Sequence, residues 1–441
     1  MKCTRTEFDG YTEEILEPDG PPAAGGPGAG QTADRWPVLD HAVYHGLAGE
    51  TVAVLSPHTE SDPVALLLQF LISFGNSIGR KPYYQIESDR HYTNLFGILI
   101  GQSAKARKGT SAGRIRSIFQ VADPDWARDR TLGGMSSGEG VIWAIRDPIY
   151  AMRKGVEEMV DPGVDDKRLL LDEREFFQAL AVLKREGNIL SRIVRDAWDC
   201  RERLATLTKH SPARASLPMI SVIGHITMEE LRECLDHTSM ANGYANRFLF
   251  ACVQRGRLLP HGGCLDQTEI EKLGRVTFEA LDMARRIDRV IMNTEAYRLW
   301  EDVYPRLSEG YGGLLGAITA RAEAQSIRLA LLYALLDRSQ QIGRVHLEAG
   351  LALWKYCDAS ASYIFGELLG DPIADTILRA LRTAGIIGMS RTDIVNIFGR
   401  NLAVGKIDGA LIRLLVAGKI RRDMHKQAIG AGRPREMWFA V

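Results

Sequence analysis

A short basic loop after an apolar segment carries residue types that bind phosphate. Leu95 to Ile100 is an apolar run that predicts a buried strand, and the following helix is predicted to begin near Thr110. Backbone N–H groups at a helix N-terminus attract phosphate, a lysine can contact the β and γ oxygens, and a hydroxyl can ligate Mg²⁺. The predicted contacts to ATP are Gly101, Lys105, Arg107, Lys108, Gly109, Thr110 and Ser111, and Thr110 or Ser111 could ligate Mg²⁺.

This loop departs from the usual phosphate-binding pattern. In G-x-x-x-x-G-K-[ST] a glycine precedes the lysine and a hydroxyl residue follows it. Here Arg107 precedes Lys108 and Gly109 follows it. A solvated basic turn between a strand and a helix is therefore the alternative.

A second apolar run ends in two adjacent carboxylates. Arg168 to Leu171 leads directly into Asp172 and Glu173. In P-loop ATPases such a pair holds the metal and orients the attacking water, so Asp172 suits the metal and Glu173 the water. We expect this strand to lie beside the P-loop strand. The alternative is a strand that simply ends in charged turn residues.

Two further positions could complete a catalytic site. Pro218 to Thr227 reads as a buried strand with a polar end, where His225 or Thr227 could sense the γ-phosphate. His225 could equally be a hydrogen-bonded core residue. Arg247 precedes another apolar strand, and an arginine there could reach the nucleotide of a neighbouring subunit and stabilise transition-state charge. A local salt bridge is the alternative for Arg247.

Alternating strands and helices up to about residue 253 predict an α/β fold with a largely parallel sheet. One helix before this core has clear start signals, with Asp62 as N-cap and Pro63 at its first position. The acidic stretch Val156 to Lys167 reads as an exposed loop. The predicted organisation is a flexible Gly/Pro-rich arm at 1–35, a P-loop ATPase core at 36–265, a helical lid or bundle at 266–370 and a winged helix at 371–441.

The helical region follows from apolar residues spaced three and four apart. Its predicted helices are 270–287, 294–309, 314–337 and 346–369. Arg321 on the third helix could contact the nucleotide from this lid, or form an ion pair.

The last segment predicts three helices and a β-hairpin, which together are typical of a winged helix. Residues 371–441 contain twelve Lys and Arg against six Asp and Glu. Such modules bind DNA or other proteins. The candidate DNA contacts are Lys406, Arg413, Arg421, Arg422, Lys426, Arg433 and Arg435.

Taken together, these motifs resemble the YfjI-type family of P-loop ATPases from phages and other mobile elements. The resemblance spans roughly residues 36 to 365 and implies a RecA- or AAA-like core related to replicative helicases. It implies ATP and Mg²⁺ as cofactors more firmly than helicase activity. The matching segments are His58 to Pro63, Asp89 to Phe96, Gly101 to Ser111, Ser136 to Gly140, Arg168 to Phe176, Arg185 to Asn188, Gly224 to Thr227, Asn246 to Phe248 and Arg321 to Ala324.

Composition limits the remaining possibilities. The chain has 441 residues with 45% hydrophobic and 25% charged content, and its 55 basic and 55 acidic residues balance. Any nucleic-acid surface must therefore be local. The six cysteines form no C-x-x-C pair, which fits a reducing cytoplasm. No membrane segment or export signal is expected.

Two functions fit these predictions. The first is an ATPase acting on single-stranded or origin DNA, a replicative-helicase-like motor or initiator, assembled as a homo-oligomer such as a hexamer and working with replication proteins. The second is a nucleotide-binding regulator, loader or defence protein with little or no helicase activity.

Overall fold

The computed structural model describes residues 36–101, 108–206, 213–234, 243–366, 369, 371–399, 402–425 and 435–441. The predicted arm at 1–35 lies outside this part of the chain. The first elements are a 3₁₀ turn His41–Tyr44 and helices α1 (Gly46–Leu55) and α2 (Pro63–Ile78). The predicted start of α2 is confirmed, because Asp62 accepts a hydrogen bond from the N–H of Val64 at 2.9 Å.

The centre of the fold is a five-stranded parallel sheet. Its strands are β3 (Phe96–Gly101), β4 (Thr131–Leu132), β7 (Arg168–Glu173), β10 (Met219–Thr227) and β11 (Phe248–Val253). They are arranged in the order β11-β3-β10-β7-β4, and every neighbouring pair is parallel. The prediction of a parallel sheet within an α/β fold is confirmed.

The expected position of the acidic strand is wrong. Strand β7 does not pair with β3, because β10 lies between them and pairs with both. In the pairing register, Asp172 lies opposite Ile223, and Thr227 lies opposite Gly101. The end of β3 and the two acids therefore share one edge of the sheet but are separated by a strand.

Helices cover both faces of this sheet, which explains why its strands are almost continuously apolar. One face packs against α2, α3 (Lys108–Ala122), α9 (Gln267–Ala284) and α12 (Ala322–Leu336). The other face packs against α5 (Gly138–Trp143), α6 (Phe176–Leu183), α7 (Leu190–Trp198) and α8 (Met228–Cys234). Successive side chains alternate between the two faces, so Leu99 joins the first core while Ile98 and Ile100 join the second.

The remaining strands form smaller units. A four-stranded sheet has the order β13-β12-β1-β2, with β1 at Tyr83–Ile86, β2 at Asp89–Tyr92, β12 at Arg289–Met292 and β13 at Gln341–Ile342. Strands β5 (Ile149–Arg153) and β6 (Val156–Asp161) pair as a hairpin, as do β8 (Arg203–Ala205) and β9 (Arg214–Ser216). The expected loop at 156–167 thus begins with a strand. A short helix, α4 (Pro124–Asp129), precedes β4.

The helices after residue 266 belong largely to the main core. Helix α10 (Thr294–Glu309) matches its predicted bounds, whereas the predicted helix 314–337 divides into α11 (Gly313–Thr319) and α12. The interruption falls at Arg321, which has φ −121° and ψ 30°. Helices α9, α12 and much of α13 (Arg344–Phe365) share buried contacts with α2 and α3 rather than forming a core of their own.

The C-terminal segment has a separate apolar core. It contains α14 (Pro372–Ala384), α15 (Arg391–Ile397) and α16 (Val404–Val416). Strands β14 (Met389–Ser390), β15 (Ile420–His425) and β16 (Arg435–Ala440) form an antiparallel sheet in the order β14-β16-β15. Within the described residues, no helix is both long and apolar enough to cross a membrane.

Candidate functional site

The connections of the parallel sheet define a switch point between β3 and β10, the place where open α/β sheets form a ligand-binding crevice. From β3 the chain crosses to β4 at one margin of the sheet, whereas from β10 it returns in the opposite direction to β11. Helices following these two strands leave on opposite faces, and ligands of open α/β sheets bind at such switch points beyond the carboxyl ends. Gly101 and Thr227 are paired at this position.

The predicted phosphate-binding residues lie in the sequence between Gly101, at the end of β3, and the first turn of α3. Lys105 and Arg107 lie outside the described residues, and α3 begins at Lys108, which is two residues earlier than predicted. The first N–H groups of a helix have no partner within the helix and suit an anion. The backbone of Lys108 and Gly109 is therefore placed at the positive end of α3.

The two candidate metal-binding hydroxyls have different surroundings. Ser111 is fully buried, and Nε2 of Gln69 on α2 donates a hydrogen bond to its Oγ at 2.5 Å. Thr110 is exposed on the first turn of α3. Thr110 is therefore the more accessible of the two, and Ser111 connects α3 to α2.

Asp172 offers an oxygen that suits a cation. Its Oδ1 is buried and accepts no hydrogen bond from any described residue. Nε2 of His225 lies 3.7 Å from this oxygen, and Nε of Arg174 lies 4.0 Å from the other oxygen, Oδ2. Burial raises the pKa of Asp172, and the guanidinium groups of Arg174 and Arg116 partly oppose this effect. Because Mg²⁺ prefers carboxylate oxygens and water, this residue fits the predicted metal role.

Glu173 is more deeply buried, with 6% of its surface exposed. Its Oε1 accepts a hydrogen bond of 2.6 Å from the backbone N–H of Met135. Burial raises the pKa of Glu173, the N–H groups of Met135 and Gly134 act against this, and the charge of Asp172 raises it further. The backbone turn after β4 therefore holds the predicted water-orienting carboxylate.

An open cleft lies at this end of β7 and β4. Its lining includes both acids and two cationic side chains that sequence reasoning missed, Arg116 on α3 and Arg174. The Gly-Gly pair directly after the short strand β4 was the available sequence signal for a close backbone approach. The lining residues are Arg116, Thr131, Gly133, Gly134, Asp172, Glu173, Arg174, Glu175 and Gln178.

The end of β10 shows a different arrangement from the predicted sensor. Thr227 is the first residue of a local cap, because its N–H and hydroxyl both donate to Oε2 of Glu230, at 3.0 and 2.8 Å. His225 is buried between β3 and β7 with its ring close to Asp172. Thr227 thus lies at the crevice, but its side chain contributes to the start of α8.

Arg247 and Arg321 lie at the opposite, amino edge of the sheet. Arg247 is 6% exposed and donates to Oδ2 of Asp199 at 2.7 Å. Arg321 donates from Nε to Oδ1 of Asn246 at 3.3 Å and keeps 34% of its side chain exposed. Because β11 runs from Phe248 to Val253, the two edges are about 17 Å apart. Neither arginine therefore lies near Asp172 and Glu173 of its own chain.

A third arginine completes this cluster. Arg328 is buried beneath Trp198, with its guanidinium carbon 3.7 Å from the ring centroid. It donates to the carbonyl oxygen and the Oδ1 of Asn94, both at 2.9 Å. We call Arg247, Arg321 and Arg328 around Trp198 the arginine cluster.

The predicted DNA contacts of the C-terminal segment are largely paired with acids. Arg413 pairs with Asp371, Arg421 with Asp423, and Arg422 with Glu436. Lys406 is exposed on α16. Lys426 and Arg433 lie outside the described residues, and Arg435 begins β16. These pairs reduce the local positive charge that the sequence indicates.

One cluster outside the site has metal-ligand residue types. Oδ2 of Asp337 lies 2.6 Å from Nε2 of His45 and 3.1 Å from Nε2 of His346. However, Nδ1 of His346 accepts the N–H of Gly343 at 2.9 Å, which places the ring proton on Nε2, facing Asp337. Metal-bound histidines instead donate from their second nitrogen. The cluster is therefore a hydrogen-bonded connection between α1 and the α12–α13 junction.

Comparisons with known proteins leave the resemblance untested. A scan of the chain against protein-family models finds no match, and a search of the curated proteins finds none either. Membership of the YfjI-type family therefore stays a prediction that depends on the residues alone.

Proposed function

We propose that the protein binds ATP with Mg²⁺ at the carboxyl edge of its parallel sheet and hydrolyses the terminal phosphate. The observation that carries this proposal is the shared position of three features. The start of α3 and the pair formed by Gly101 and Thr227 lie at the switch point, and Asp172 and Glu173 end a strand on the same edge. The parallel sheet is compatible with a RecA-like core.

The phosphates would lie against the first turn of α3. Its N–H groups and the positive end of the helix dipole favour a polyanion, and the Lys108 ammonium group would add a positive charge at the β and γ oxygens. Thr110 and Asp172 would supply oxygens for Mg²⁺, which would neutralise phosphate charge when bound. The buried Oδ1 of Asp172, which lacks a described hydrogen-bond donor, supports its part in this pair.

Glu173 would orient the attacking water and accept its proton. A carboxylate performs this role only when it is ionised and fixed in direction. The hydrogen bond from Met135 meets the second condition, and it favours the charged form against the effect of burial. Glu173 also lines the open cleft, so water can reach its surroundings.

The arginine cluster supports action as an oligomer. An arginine at the amino edge cannot assist hydrolysis in its own chain, but it can meet the carboxyl edge of a second copy. Arg321 is the accessible member, since Arg247 is buried in its pair with Asp199. We assign the contact to the neighbouring nucleotide to Arg321. Arg247 would instead stabilise the local structure, through its hydrogen bonds to Asp199 and to the carbonyl of Gly243.

Action on DNA is the second part of the proposal. The family resemblance and the helix-and-hairpin composition of residues 371–441 favour a replicative-helicase-like motor or an initiator of a mobile element. The alternative is a nucleotide-binding regulator with little turnover, which the Arg107-Lys108-Gly109 departure favours.

The test is ATP hydrolysis by the wild type, Lys108→Ala and Glu173→Gln, with and without single-stranded DNA. Lys272→Ala is the matched control, because Lys272 is exposed on another helix, α9. We expect Lys108→Ala to lose binding and hydrolysis, and Glu173→Gln to bind ATP while hydrolysing it about 100-fold more slowly. Wild-type protein that binds ATP without turnover would favour the regulator, and protein that does not bind ATP would overturn both functions.

A further inference from the structure

We infer that the turn Gly133 to Met135 is a positioning element for Glu173, and that its backbone N–H groups orient the carboxylate at the edge of the cleft. This inference rests on the proposed function, since it gives Glu173 the task of orienting water. It adds a segment that no sequence motif assigned to the site. The turn connects β4 with α5 and begins directly after Leu132, which pairs with Leu171.

The turn is fixed at both of its ends. Strand β4 aligns it with β7, so Gly133 follows directly beside Asp172. The Met135 side chain is buried in the core below the sheet, with 4% of its surface exposed. After it, Oγ of Ser137 accepts the N–H of Gly140 at 3.0 Å and caps α5. The polar turn at Ser136 to Gly140 is thus a helix cap, and the N–H next to it reaches the acid.

Both glycines are required by this geometry. A Cβ atom at Gly133 would lie 2.8 Å from the carbonyl oxygen of Asp172, which is closer than packing allows. Gly134 has φ +87°, a conformation that residues with a side chain rarely adopt. The Gly-Gly pair therefore brings the N–H of Met135 close to Oε1 of Glu173.

The turn also acts on the charge of the carboxylate. Burial raises the pKa of Glu173, and the N–H groups of Met135 and Gly134 lower it by binding the ionised form. Other charged or titratable groups beside Glu173 or along the same cleft are Asp172, Arg174 and Glu175 from β7 onward, Arg116 on α3, His225 on β10 and Tyr244 before β11.

The first test removes one N–H group. Met135→Pro lacks the donor, and Met135→Ala is its control because it loses the same buried side chain but keeps the donor. We expect Met135→Pro to lower kcat about tenfold relative to Met135→Ala, with the KM for ATP unchanged. Equal kcat values for the two variants, or faster hydrolysis by Met135→Pro, would overturn the inference.

A second pair of variants covers failure of the proline variant to fold. Gly134→Ala strains the turn, and Gly155→Ala is its matched control in the β5–β6 hairpin. The two glycines have φ of +87° and +84°, and in neither case does a described atom lie within 4 Å of the added methyl group. We expect only Gly134→Ala to lower kcat. Matching effects of both substitutions would indicate general strain and contradict the positioning role.

A measurement without turnover separates this inference from the proposed function. Melting temperatures of Gly134→Ala and Gly155→Ala are compared in the wild-type and Glu173→Ala backgrounds. The Glu173→Ala background has no carboxylate for the turn to hold. We therefore expect Gly134→Ala to lower the melting temperature less in this background than in the wild type, and Gly155→Ala to lower it equally in the two backgrounds. If Gly134→Ala lowers the melting temperature equally in the two backgrounds, the positioning role is overturned even if the protein hydrolyses ATP. If the decrease is smaller in the Glu173→Ala background but the protein does not hydrolyse ATP, the contact is supported and only the ATPase proposal is refuted.

Discussion

Nε2 of His225 lies 3.7 Å from Oδ1 of Asp172, so neighbouring strands bring an imidazole and a carboxylate together at the carboxyl edge. Strand β10, which carries His225, lies between the strand that leads to the loop and the strand that ends in the acids. His225 is therefore a buried neighbour of the predicted metal ligand. Its position joins the two halves of the candidate site.

The affinity for Mg²⁺ should depend on pH through Asp172. Its pKa is raised by burial, so it takes up a proton at a higher pH than an ordinary aspartate and then ceases to attract a cation. We expect the Mg²⁺ dependence of ATP binding to weaken as the pH falls toward this raised pKa. Asp172→Asn should remove most of this pH dependence, while Asp165→Asn on the surface should keep it. Calorimetric Mg²⁺·ATP titrations over a pH series measure both, and identical series for the two variants would contradict the assignment.

The arginine cluster predicts complementation between subunits. Arg321→Ala should bind ATP normally but hydrolyse it about 1,000-fold more slowly, because a neighbouring arginine stabilises transition-state charge. Mixing Arg321→Ala with Glu173→Gln should restore part of the activity, since some interfaces then combine an intact Arg321 with an intact Glu173. Mixing Arg321→Ala with Lys108→Ala should act in the same way. Failure of both mixtures, in assemblies shown by mass to exchange subunits, would contradict a role across the interface.

Arg328 should stabilise the fold without contributing directly to catalysis. It is 2% exposed, stacks on Trp198 and donates to Asn94. We expect Arg328→Met to lower the free energy of unfolding by about 3 kcal/mol, because the buried acceptors around Asn94 lose their charged partner. Arg275→Met, at an exposed position on α9, should change the free energy of unfolding by less than about 0.5 kcal/mol. Urea denaturation compares the two variants, and a similar loss for both would show that the stacking and hydrogen bonds add little.

The connection between His45, Asp337 and His346 predicts sensitivity to acid. Burial alone would raise the pKa of Asp337, but hydrogen bonds and charge from His346 and His45 outweigh it and leave the pKa lowered. A lowered pKa in the folded state adds stability above the ordinary aspartate pKa of about 4, and this stability is lost as the pH falls toward the folded value. Melting curves of Asp337→Asn should therefore depend less on pH in this acidic range than those of the wild type.

Addition of Zn²⁺ gives the matching control for this cluster. The ring proton of His346 faces Asp337, so Nε2 has no lone pair for a metal ion. We therefore expect Zn²⁺ to change the melting temperatures of the wild type and Asp337→Asn by the same amount. A rise in the wild type that is absent from the variant would identify a metal site instead.

Local sequence signals predicted the elements better than their arrangement. The start of α2 follows from Asp62 and Pro63, and α10 has its predicted bounds, because caps and helical periodicity act within a few residues. The position of β10 between β3 and β7 depends on contacts between distant segments, which the strands do not encode locally. The β5–β6 hairpin was missed because its second strand is acidic and exposed. The break between α11 and α12 at Arg321 was missed because it carries no proline or strong cap.

The most direct test of the central claim is calorimetric titration of Mg²⁺·ATP into the wild type, Lys108→Ala and Lys272→Ala. Binding in the crevice beyond β3 requires the phosphates to meet the first turn of α3. We expect saturable binding to the wild type and to Lys272→Ala, with affinity reduced at least about 100-fold for Lys108→Ala. Equal affinity of all three proteins, or no binding to a folded wild type, would contradict a nucleotide site at this edge of the sheet.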